Sequence, residues 1–341
     1  MECDVFADSY GCIITKSIGY QAPFPLVRLG NGWSAEAPES ACVHGACFAS
    51  TVADHAAPRG RLVTLDMSVG ASCVSFLQLL APSRPPLTLE VDVQYVAKVD
   101  TTAAASAVVT RGEGGRWSTS LYVTADSTHG AARTSRAHFC RATAASLLCS
   151  TLWLAETVRD GTGSYAVHCR PLEVALAGAA VEAMPVRAGA GCPLDIVALT
   201  EHTAVAFGSS GVTMADRRRG TCETLLRAAP LNGGVAGDAH LLTFGDDYTL
   251  RAYDLRHLSA PLYEATTASY LRIKSRAGAR AALLVTSDMV GVFDVTHLTT
   301  TASLQHSGDV VLDAAVLPSV GSGVRVCTST GSGMVYDWVV A

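Results

Sequence analysis

Charge is scarce in this chain. Charged residues make up 16% of its 341 residues, against 49% hydrophobic. A disordered chain needs the opposite balance, so this one is built to bury a large core. Lysine is scarcer still: Lys16, Lys98 and Lys274 stand alone, and arginine supplies the rest of the 25 cations. A net charge of −5 leaves no basic surplus for a nucleic-acid backbone. Long apolar runs are missing too. Ala281-Ala282-Leu283-Leu284-Val285 stops after one strand's length, far short of the ~20 residues of a spanning helix, so no membrane is expected. The opening residues Met1 to Asp8 carry acids where a leader carries bases, which predicts a cytoplasmic protein, with the nucleus as the other compartment.

The familiar chemical signatures are absent as well. No G-x-S-x-G elbow, G-x-x-x-x-G-K-[ST] phosphate loop or H-E-x-x-H occurs, and Gly208-Ser209-Ser210-Gly211 reads as a hairpin turn. The 11 cysteines are odd in number and never form C-x-x-C, which suits reduced, buried small hydrophobes. In Cys42-x-His44-x-x-Cys47, the first two share a strand face while Cys47 points the other way, and no second ligand pair follows. No metal and no cofactor are expected.

What is present is a worn repeat. A short apolar strand leads to a Gly or Asp turn, then to a strand ending in an Asp. His240 to Asp247 followed by Thr249 to Arg256 is the clearest copy, and it resembles the WD40 consensus with Tyr253-Asp254 in place of Trp-Asp. The anchors Asp216, Asp254, Asp294 and Asp337 are spaced by 38, 40 and 43 residues. That matches a period of about 40–45. Upstream, segments ending at Arg170, Asp126 and Asp66 extend the series at intervals of 46, 44 and 60. Length alone suggests two domains, since domains cluster near ~150 residues. The repeat instead predicts one domain over 1–341: an all-β, seven-bladed WD40-like β-propeller with degenerate repeats. An insertion is expected near 80–100, around Pro82 to Pro86, and Gly11 to Thr15 is expected to supply the strand that closes the last blade. Leu304-Gln305-His306 resembles a blade-opening Gly-His turn. The Ala-rich stretch Leu172 to Met184 reads as a strand pair, because Gly178 interrupts it and no cap starts it.

Few side chains point to chemistry. Asp238-x-His240 puts a carboxylate and an imidazole on one strand face, and Asp309 lies near His306; both are weak candidates for proton transfer. Arg217-Arg218-Arg219 reads as a solvated surface, with an acidic partner as the sharper alternative. In Asp216-x-Arg218 and Asp254-x-Arg256 the arginine either docks an adaptor or pairs with a nearby carboxylate, and the pairing is the stronger expectation.

One family matches further. Consecutive Asp-x-Arg endings at Asp216 and Asp254, then Ala260-Pro261-Leu262, then Ser269-Tyr270-Leu271-Arg272-Ile273, resemble the diphthine methyl ester hydrolases, also called diphthine methyltransferases. Near the start, Ala46-Cys47-Phe48 and Gly60-Arg61-Leu62-Val63 look like that family's first blade. Where the family carries paired glycines and a Trp, this chain has Ala268-Ser269 and Tyr270. The resemblance implies hydrolysis of the methyl ester on over-methylated diphthine of elongation factor 2, a step of diphthamide synthesis. It implies Arg272 and Tyr270 as substrate-binding residues, with His240 and Asp238 offered as the base. The alternative is a non-catalytic WD40 scaffold or adaptor that holds protein partners, because a propeller fold does not fix a function.

Overall fold

A computed structural model describes the strands from Cys3–Asp8 to Met334–Val340, with connecting loops and side chains described mainly over 142–317. Within each sheet drawn from one stretch of sequence, successive strands pair antiparallel. Residues 42–90, 95–140, 142–190, 193–226, 232–266 and 272–305 each form a four-stranded sheet. One more sheet sets the three strands of 311–340 beside Phe24–Arg28. Short runs rich in Ala, Val, Leu and Thr, cut by Gly, Asp and Ser turns, leave the chain little choice but such meanders.

The sheets are arranged as a β-propeller. First strands pack on first strands: Cys42–Ser50 on Tyr95–Thr101, then Ala142–Leu148, Pro193–Ala198, Asn232–Ala236 and Arg272–Lys274 in turn. Val311–Leu317 lies against Cys42–Ser50. Fourth strands such as Thr221–Leu226 and Tyr263–Thr266 hold no fully buried residue, which marks them as outer edges. Among the described residues no helix is long and apolar enough to cross a membrane.

Three details of the architecture differ from the sequence reading. The last sheet is completed by Phe24–Arg28, while Gly11–Lys16 pairs with Cys3–Asp8 in a separate two-stranded ribbon. Both segments hold a short apolar run of one strand's length, and only pairing with Met334–Asp337 separates them. Within 80–100, Leu87–Glu90 closes one sheet and Tyr95–Thr101 opens the next, while Pro82 to Pro86, around which the insertion is expected, lie outside the described residues. The apparent gap of 60 residues arose because Asp66 sits in the second strand, Gly60–Ser68, whereas the other anchors mark third strands. Asp216, Asp254 and Asp294 end theirs, Asp337 lies within Met334–Val340, and Asp126 falls outside the described residues. Finally, Leu172–Leu176 is a single helical turn, not a strand. Pro171 precedes it, and Leu172 and Ala175, three apart, are buried on one side.

Each core cluster belongs to two adjacent sheets. Trp153, Tyr165 and Val167 of sheet 142–190 pack on Ile196, Ala204, Ala206 and Ala215 of sheet 193–226. Leu242, Phe244 and Ala252 meet Ile273, Leu284 and Phe293 in the same way two interfaces further on. Large side chains on one sheet face small ones on the next. Phe207 lies so close over Gly233 of the following sheet that a Cβ there would stand 2.3 Å from its ring and 2.8 Å from the Leu242 carbonyl oxygen. Polar links cross the interfaces too: the Ala198 amide donates to Ser146 Oγ at 3.1 Å, and the Tyr165 and Thr213 hydroxyls lie 3.1 Å apart.

The last sheet carries a buried polar chain. Trp338 Nε1 donates to Thr328 Oγ1 at 3.0 Å, and that hydroxyl lies 2.9 Å from His306 Nε2. The His306 ring stands edge-on to Trp338. Burial pushes the imidazole pKa below its ordinary value, against the smaller opposing pull of Asp309. Burial thus favours the neutral imidazole, which shares a hydrogen bond with the Thr328 hydroxyl.

Two outcomes follow from this packing. Gly233→Ala should destabilise the protein by about 1–3 kcal/mol through overpacking on Phe207, read as a lowered denaturant midpoint with an unchanged m-value. His306 makes stability depend on pH. The unfolded imidazole titrates near ~6.5 and the folded one lower, so on acidification the unfolded chain binds the proton first. The contribution is complete above about pH 6.5 and is lost as pH falls towards the folded value. Melting temperatures measured over that range should fall on acidification, and His306→Gln should flatten that part of the profile.

Candidate functional site

The meander sorts the loops onto two rims. Turns between second and third strands, such as 208–211, 244–249 and 285–289, lie on one rim with the links 226–232, 266–272 and 305–311 between sheets. Turns between first and second strands, and between third and fourth, lie on the other, for example 198–203, 216–221, 254–263 and 294–299.

The second rim is where the anchor aspartates end their strands. Asp216 Oδ1 accepts the Arg218 amide at 2.9 Å, Asp254 Oδ1 the Arg256 amide at 2.9 Å, and Asp294 Oδ1 the Thr296 amide at 2.7 Å. Three successive sheets thus use the same side-chain-to-backbone turn. The guanidinium of Arg256 closes on Asp254 at 2.7 Å and holds that carboxyl well below the ordinary carboxylate range; Arg218 lowers Asp216 likewise. At Asp294, burial raises the carboxyl, and hydrogen bonds from the His297 ring and from the Thr296 and His297 amides more than offset it. The Asp-x-Arg pairs are turn locks within each sheet, with Arg218, Arg219 and Arg256 mostly solvated. Arg217 is also exposed, and it donates to Cys169 Sγ at 3.4 Å.

The first rim carries exposed apolar surface. Of the six large hydrophobic side chains exposed among the described residues, Leu194, Leu231, Tyr248, Tyr270 and Val310 lie there, and Leu262 alone lies on the other rim. Both tyrosines stand edge-on to the buried ring of Phe244, at 6.0 Å and 5.8 Å. Asn232 fixes Tyr270 from below: its side-chain amide donates to the Leu271 carbonyl at 2.6 Å, its oxygen accepts the Ile273 amide at 2.9 Å, and Nδ2 lies 3.4 Å from the tyrosine hydroxyl. Thr267 ties the two loops together, its amide donating to the Tyr248 carbonyl at 2.8 Å and its hydroxyl at 3.2 Å.

Tyr248 has a backbone φ of 56°, in the left-handed region. A bulky residue there costs about 1–2 kcal/mol. Leu298, with φ 53°, shares the conformation but packs against the core. Tyr248 stays 44% exposed, so its strain is not offset by core burial.

The structure divides the residues singled out in the sequence. Tyr270 and Arg272 lie together on the first rim, where Arg272 is half-buried at the start of its strand. His240 lies at the opposite end of its sheet, across from Asp254, with Nδ1 buried and without a hydrogen-bond partner. Asp238 falls outside the described residues. The strand His240–Phe244 stands between the two ends, a span of about 13 Å at ~3.3 Å per residue. That exceeds the hydrogen-bond reach a base needs. His306 and Asp309 belong to the first rim, with His306 committed to Thr328. Tyr248, Leu231 and Asn232 escaped the sequence reading. The signal was there in Gly245-Asp246-Asp247-Tyr248, where a turn position suited to Gly or Asn holds a tyrosine.

Among the described cysteines, Cys169, Cys192 and Cys222 are free thiols. Burial raises all three, with Arg217 partly opposing at Cys169, and Cys222 is pushed up to about 11. Such thiols are poor nucleophiles at neutral pH. Cys192 is exposed, unlike the buried hydrophobe the sequence suggests. No group of His, Cys, Asp and Glu among the described residues could hold a metal ion.

No protein-family model matches the chain, and neither does any curated protein. Solved structures do. One is the WD40 beta propeller domain of Doa1, 8% identical, with a TM-score of 0.57 over 87% of this chain and 94% of that one. At that identity the likeness speaks for the fold alone: the chain is an all-β propeller of the WD40 kind.

Proposed function

We propose that this protein is a seven-bladed WD40-like propeller that acts as a non-catalytic scaffold, holding protein partners on its rims. The seven four-stranded sheets support the blade count. The observation that carries the functional reading is the arc of exposed apolar side chains on one rim. Exposed apolar surface grouped on one side of a molecule marks a site of association. The free thiols at Cys169, Cys192 and Cys222 support a cytoplasmic or nuclear setting.

The hydrolase reading keeps Tyr270 and Arg272 as a rim pair for the diphthine head of elongation factor 2. Of the base offered with them, His240 belongs to the other rim and Asp238 lies outside the described residues. The scaffold reading is therefore the better supported.

Both are tested in one experiment. Purified protein is incubated with elongation factor 2 bearing methylated diphthine, and separately cross-linked to partners in native extract. The expected outcome is an unchanged mass on the modified histidine and a discrete cross-linked complex that survives gel filtration. Loss of the ester methyl would establish the hydrolase, and absence of any complex would remove the scaffold.

A further inference from the structure

The two rims differ in charge. Among the described residues, the first rim carries Asp246, Asp247, Asp288 and Asp309, against Arg227 and Arg272. Asp247 is committed to Arg251, Asp246 stands exposed two residues before Tyr248, and Asp288, which accepts the Thr286 hydroxyl at 2.9 Å, is exposed on the corresponding turn of the next sheet. The second rim carries Arg217, Arg218, Arg219, Arg256 and Arg280 against Glu173, Glu201, Asp216, Asp254 and Asp294, which balances where the first rim is left with an excess of carboxylates.

The apolar arc runs through this acidic rim. Leu194, Leu231, Tyr270 and Val310 each sit at or just before the first strand of four successive sheets, so the arc follows the mouth of the propeller. Tyr248 and Tyr270 flank one buried phenylalanine and keep 44% and 48% of their surface open. Thr267 and Asn232 already hold their loops in place, so little ordering remains to be lost on binding. Tyrosine faces attract Lys and Arg, and the neighbouring carboxylates strengthen the same choice. The leucines and the valine offer apolar contact to the residues between.

The geometry points to Tyr248 and Tyr270 as the anchor of a docking site on the acidic rim for a basic and apolar peptide segment of a protein partner. This rests on the scaffold reading and names its rim and its partner. The strained backbone of Tyr248 gives an unusual handle. Were the tyrosine kept only to cover Phe244, Tyr248→Gly would weaken the fold. With the side chain serving a partner, glycine relaxes the turn and stability is kept or raised, while binding is lost.

The test is a displayed library of short random peptides panned on the full chain, followed by fluorescence anisotropy of the enriched peptides at several salt concentrations. Enriched sequences should combine Lys or Arg with apolar residues. Tyr248→Gly and Tyr270→Ala should each lower affinity about tenfold, with the Tyr248→Gly melting temperature unchanged or higher. Asp246→Asn combined with Asp288→Asn should flatten the salt dependence. The proposal is overturned by enriched peptides that are acidic or lack cations, by no enrichment, or by affinity that survives Tyr248→Gly. Binding lost instead in Arg218→Ala and Arg256→Ala would also overturn it, while leaving the scaffold reading standing on the other rim.

Discussion

Face-to-face burial of one sheet against the next is the constraint on which everything else depends. A strand pair such as Ala281–Val285 and Met289–Asp294 buries almost every residue, on both faces. That is possible only between two further sheets. It demands many small residues, which is why Ala204, Ala206 and Ala215 stand opposite Trp153 and Tyr165. Burying each large apolar side chain contributes about 1.5–3 kcal/mol, and the contribution is shared between neighbours, so no sheet is stable alone.

The same constraint decides where function can reside. Faces are committed to packing and outer strands to solvent, which leaves the two rims of turns. Those rims are chemically distinct. One locks its turns with Asp-to-amide bonds and surrounds them with arginines, so its charges are largely internal to each sheet. The other gathers exposed tyrosine, leucine and valine beside carboxylates, with a tyrosine held in a backbone conformation that the core does not require.

Much of this was legible in the sequence. The spacing of Asp216, Asp254, Asp294 and Asp337 was enough to indicate a propeller, because each anchor performs one local job: accepting the amide two residues on, at Asp216, Asp254 and Asp294. Where the job was absent the register slipped. Asp66 has the right composition around it but occupies a second strand, which lengthens the interval to the next anchor. The closing strand was misplaced for a related reason, since the short apolar runs in Gly11–Lys16 and Phe24–Arg28 are equivalent until pairing chooses one. The site was legible only in part. Tyr270 and Arg272 do lie on one rim, but His240 is separated from them by the length of its own strand, a relation that sequence adjacency to Asp238 conceals.

The account stands on the acidic, aromatic rim being the surface that meets a partner. Amide hydrogen exchange on the full chain, free and bound to a basic–apolar peptide, tests this most directly. Slowed exchange confined to 226–232, 244–249 and 266–272 is the predicted result. Protection centred instead on 216–221 and 254–263, with the first rim unchanged, would contradict it.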